Sequence, residues 1–129
     1  MQAFRLQWHD VSAPAEIERG RLLRVRVGVM NCGTSIWPAS VEDGDYPVRL
    51  GYRWSGTSRP DGSYGGHHIN LPRQVRPNES VVCEFDIEPP ETPGDYFLQV
   101  DLVQEHVAWF HDKGCEPLEH RVRVVAHRE

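Results

Sequence analysis

The segment "DLVQEHVAWFHDKG", Asp101 to Gly114, gathers a Trp-Phe pair, two histidines and three acids at the end of an apolar run. Such residues suit three kinds of chemistry: acid–base work by paired carboxylates, metal binding by histidine and thiol, or recognition by an aromatic ring set among polar groups. Asp101 and Glu105 stand four residues apart on one face of an extended chain, or ~13 Å at 3.3 Å per residue, whereas glycosidase carboxylates lie ~5–9.5 Å apart. No GxSxG or comparable elbow offers a nucleophile. Catalysis is not expected. His106, His111 and Cys115 share the last loop and His67 and His68 are adjacent, yet no spacing matches a structural zinc set, and adjacent residues of an extended chain face opposite ways. No metal and no other cofactor is expected.

Recognition is what remains. Trp109 and Phe110 are adjacent in what reads as a strand continuing past a kink at His106, so one ring should turn inward and the other outward. Phe110 is expected to plug the core and Trp109 to be the exposed platform, because Trp offers the larger stacking face and an N–H that tolerates water. A sugar stacks its C–H face on such a ring while charged and amide groups take its hydroxyls. The candidate contacts are Trp109, Glu105, His111, Arg53 and Asp101. The same patch suits a protein partner, since aromatic and Arg anchors mark interface hot spots. Both readings stay open at this point.

The elements that must position these residues are strands. Leu23, Val25, Val27 and Val29 alternate with Arg24, Arg26 and Gly28. The same period of two runs through Val48, Leu50, Tyr52 and Trp54, through Val81, Cys83, Phe85 and Ile87, and through Tyr96, Leu98, Val100 and Leu102. Each pattern buries one face and wets the other. "FRLQWH" reads as a short first strand and "HRVRVVA" as a last one. Gly- and Pro-rich turns separate them, and no window carries a helical apolar stripe. About seven short strands over 129 residues predict one domain, residues 1–129, folded as an all-β, immunoglobulin-like antiparallel β-sandwich. Trp37 and Trp54 are expected to cap the two ends of its core. Tyr96, just after the Pro-Gly of "TPGDY" and at the start of the longest strand, is the candidate tyrosine corner.

Composition narrows the partners. A formal charge of −5 argues against nucleic acid. Arg is concentrated in "RGRLLRVRVGV", where its alternation along a strand reads as a solvated face. No apolar stretch approaches the ~18 residues of a membrane span, and "MQAFRLQWHD" carries no apolar signal core. Cys32, Cys83 and Cys115 are odd in number and share no CxxC spacing, which predicts reduced thiols and a cytoplasmic setting.

The motifs also carry a likeness. "VMNCGTSIWP", "YPVRLGYRW", "LPRQVRPNES" and "PGDYFLQVDLVQEHVAWFHDKG" together resemble the immunoglobulin-like accessory domain at the C-terminal end of bacterial polysaccharide glycosyltransferases, methyltransferases and export ATPases. The likeness spans about Arg21 to Val125. It implies a sandwich and non-catalytic recognition, with a glycan or a glycan-processing or export protein as partner. The chain reads "GGHHINLP" where that family usually has Asp-Gly-x-Arg before Leu-Pro. Asn-x-Gly-x-x-x-Trp-Pro and the Pro-Gly-x-Tyr corner are more distantly similar to the four-tryptophan domain of autophagy receptors.

Overall fold

In a computed structural model, which describes residues 4–40, 42, 46–56 and 68–126, the alternating runs form two packed sheets. The smaller has the order β1-β3-β6, from Leu6–Ser12, Leu23–Asn31 and Ser80–Ile87. The larger has the order β2-β9-β7-β4-β5, from Glu16–Glu18, Leu118–Val125, Gly94–Gln104, Val48–Gly56 and His68–Asn70. A two-residue strand, β8 (Ala108–Trp109), pairs with the end of β7, and one 3₁₀ turn follows at Phe110–Lys113. The architecture is the expected immunoglobulin-like sandwich. Its strands number nine among the described residues rather than about seven; β2, β5 and β8 are only two or three residues long, too short to print a period of two.

Parity sets the core. Leu23, Val25, Val27 and Val29 of β3 and Val81, Cys83, Phe85 and Ile87 of β6 face Val48 and Leu50 of β4, Leu98, Val100 and Leu102 of β7 and Val122 of β9. Burial in this layer pushes the Cys83 thiol up to about 11, so it sits protonated among apolar neighbours. On the wet face of the small sheet, Arg24 pairs with Glu84 and Asp86, and Arg26 with Asp10 and Glu84. Arg24 and Arg26 of the concentrated Arg run thus form a cross-strand charge ladder with acids.

The two ends of the core are closed differently. At one end, buried Trp37 and half-buried Phe4 each meet the Phe110 ring edge-on, with centroids 5.6 and 5.1 Å away. The Trp37 segment is tied to Val75 by two backbone bonds, and buried Asn31 holds the loop between, donating to Ser35 and Val75 and accepting from Gly33 N–H. At the other end, half-buried Trp54 packs edge-on to Tyr96, and its indole donates to the Glu88 carbonyl at 3.2 Å. The Tyr96 phenol donates to the Thr92 carbonyl at 2.7 Å, the bond that defines a tyrosine corner. Tyr96→Phe should cost about 0.5–1.5 kcal/mol, the net worth of one hydrogen bond, with the fold intact. An unchanged midpoint in urea unfolding would show that this bond carries no stability.

Candidate functional site

The outward face of the larger sheet is where the candidate residues meet. Its central strand, β7, presents Phe97, Gln99, Asp101 and Val103 away from the core. Strand β4 sets Ser55, Arg53, Gly51 and Arg49 opposite them in register. On the other flank, β9 pairs Arg121 with Phe97 and Glu119 with Gln99. His68 of β5 stands opposite Gly51.

The chain reaches this face through a tight hairpin. After Gln104 it turns, with the Val107 N–H on the Gln104 carbonyl at 3.0 Å and His106 at φ 65°, and β8 then runs back along β7 with Trp109 opposite Val103. The expected strand continuation is therefore corrected: His106 reverses the chain. A non-glycine residue accepts positive φ there because the turn demands it.

From β8 the Trp109 indole crosses β7 and comes to rest over Gly51 of β4. A Cβ on residue 51 would lie 2.6 Å from the ring, so only a residue without a side chain leaves room for it. His68 meets the ring edge-on at 5.5 Å, and His111 lies tilted against it at 5.9 Å. Trp109 is consequently half-buried, a correction to the exposed platform expected from the size and polarity of its ring. Phe110, facing the other way, is 1% exposed and closes the core.

Beneath the indole is Asp101, whose side chain is 0% exposed. Its carboxylate accepts the N–H of Leu102 at 2.8 Å and the N–H of His111 at 3.0 Å, and is bonded to His111 Nδ1. Desolvation raises the Asp101 pKa, against the pull of those donors. Asp101 is thereby corrected from a ligand contact to an internal anchor: it fastens the 3₁₀ turn to the sheet and has no surface to offer. Glu105, in the hairpin turn, meets His68 Nδ1 at 2.5 Å and the Arg49 guanidinium at 3.8 Å. Arg53 donates through Nε to Gln99, which in turn donates to Glu119 at 2.8 Å.

Of the candidates drawn from the sequence, Trp109, Glu105, His111, Arg53 and Asp101 lie on this one face, whereas Trp37, Phe110, Tyr96 and Trp54 serve the core. The sequence reading missed Gly51, His68, Arg49 and Gln99. Gly51 had left a signal, a glycine inside an alternating strand, where a close approach is the usual reason. His67 lies outside the described residues. Asp101 and Glu105 do not form a carboxylate pair, since each is engaged by a different histidine. No group of three or more His, Cys, Asp or Glu side chains among the described residues could hold a metal ion.

No family model and no curated protein matches the chain. Solved structures do. The CARDB domain from Pyrococcus furiosus, crystallised in complex with di-metal ions, superposes with a TM-score of 0.62 at 16% identity, over 98% of this chain and 99% of that one. Its solution structure gives 0.60 at 16% identity over 95% of each. This chain has a CARDB-type fold.

That immunoglobulin-like fold recurs inside larger proteins. A β-glucosidase from Listeria innocua in complex with glucose matches 95% of this chain with a TM-score of 0.59 at 13% identity, but the match covers 16% of the enzyme. A Pseudomonas fluorescens alkylpurine DNA glycosylase bound to DNA matches 94% at a TM-score of 0.56 and 11% identity, over 30% of its length. At such identities the likeness concerns the fold alone.

Proposed function

We infer that the chain is a non-catalytic recognition module that binds glycan on the outward face of its larger sheet, in the service of a polysaccharide-synthesis or export enzyme. The observation that carries this reading is the indole of Trp109 seated on Gly51 within a border of Arg49, Arg53, His68, Glu105 and Gln99. A ring held by packing loses little freedom when a sugar stacks on it, and the border supplies both donors and acceptors. The pairing of His68 with Glu105 and of His111 with Asp101 and Asp112 supports reading these side chains as fasteners of the hairpin and its 3₁₀ turn rather than as acid–base machinery.

A glycan array followed by titration tests this. Trp109→Ala should lose most of the binding, at least tenfold, while far-ultraviolet circular dichroism stays that of a folded sandwich. Trp109→Phe should keep part of it, separating loss of stacking from collapse of the hairpin. Wild-type binding that survives Trp109→Ala would move the site elsewhere.

One observation favours a second reading, a protein-assembly role. Strand β6, eight residues long, pairs only with β3 among the described residues, and an open edge of that length can accept a strand from another chain. Capture of a partner by a variant lacking Trp109 would support it.

A further inference from the structure

The large apolar side chains that the described residues expose are mostly in turns or on the smaller sheet: Val11, Leu22, Ile36, Tyr46, Val82 and Val107. Phe97 is different. It is 40% exposed and sits on β7, the middle of the larger sheet, on the same face as the Trp109 platform. Its cross-strand neighbours are Ser55 and Arg121, so among the described residues no apolar patch continues from it across the strands. Between Phe97 and the pair Gly51–Asp101, which Trp109 covers, lies one polar rung: Arg53, Gln99 and Glu119, bonded to one another in a row across β4, β7 and β9.

Four residues along a strand separate Phe97 from Asp101, or ~13 Å at 3.3 Å per residue. That is wider than one pyranose ring. A protein partner would be better served by a contiguous apolar patch, whereas two rings parted by a rung of guanidinium, amide and carboxylate match the alternation of C–H faces and hydroxyls along a sugar chain.

We propose that the face takes a linear oligosaccharide laid along β7, with Trp109 and Phe97 as two platforms and the Arg53–Gln99–Glu119 rung bonding the sugar between them. The proposal rests on the glycan reading of Trp109 and adds to it a second platform, and with it a minimum length for the saccharide. Single sugars and short fragments reach one ring only; longer chains reach both and gain affinity from the second contact without new cost of association.

The test is an array and titration series of linear hexose, aminohexose and uronate oligosaccharides graded in length, applied to wild type, Trp109→Ala, Phe97→Ala and Phe97→Tyr. Affinity in the wild type should step up once the chain spans both rings. Phe97→Ala should erase that step, about tenfold, which is what ~1.4 kcal/mol of stacking is worth, and leave short fragments bound as before. Phe97→Tyr should restore it. Phe97→Ala that binds long chains as tightly as wild type, or a wild type indifferent to length, overturns the second platform while leaving Trp109 in place. Loss of nothing in Trp109→Ala overturns the reading beneath it, and a blank wild-type series overturns both.

Discussion

Asp101→Ala should destabilise the protein by about 1–3 kcal/mol, the range for leaving buried hydrogen-bond donors without their acceptor. The substitution leaves the Leu102 and His111 N–H groups without their acceptor and His111 Nδ1 without its partner. An orphaned buried donor keeps its full desolvation cost, which is why truncation hurts more than the bond is worth. It also releases the 3₁₀ turn that carries Phe110 and follows directly on Trp109, so core and sheet face should loosen together. Asp101→Asn should be far milder, because an amide oxygen still accepts. Burial raises the carboxyl's folded pKa above its unfolded value, so the stability it contributes is present at acid pH and lost as pH rises through the raised value. Plotted as a difference from Asp101→Asn, wild-type stability should therefore fall as pH climbs out of the acid range. Urea titrations of the two proteins across pH measure this; a difference that grows with pH in favour of wild type would mean that the ionised carboxylate, and not merely an acceptor, holds the turn.

Phe110→Ala should cost about 3–5 kcal/mol, as for other buried aromatic truncations. The ring is the hub of an edge-to-face trio with Trp37 and Phe4, and deleting it opens a cavity at the end of the core where the first residues of the chain meet the last loop. Cys115 donates to the Phe4 carbonyl and the Trp8 indole donates to Glu116, so that end is stitched by bonds that depend on the plug for their geometry. Thermal unfolding of Phe110→Ala beside Trp109→Ala measures the contrast. Near-equal losses would show that the half-buried indole is as much a part of the core as Phe110, and that the face beneath it is structural.

What the residues determine without any structure is whatever depends on neighbours in sequence. A period of two needs only local geometry, so β3, β4, β6, β7 and β9 were legible, and with them the sandwich and most of its core. Adjacency put Trp109 and Phe110 on opposite sides, and the size and polarity of the two rings indicated which went in. The Pro-Gly before Tyr96 located the corner. Only the tertiary structure decided matters that depend on what crosses the sheet. Asp101 has the parity of a wet residue and is dry because a hairpin three residues beyond it folds Trp109 back over the strand; parity reports the face of a sheet, not what later lies on that face. Gly51 and His68 join Trp109 through strand pairings between β8, β7, β4 and β5, and no spacing in the chain encodes that register. Phe97 could be placed outward by alternation, but its distance from the indole and the polar rung between them exist only once three strands are laid side by side.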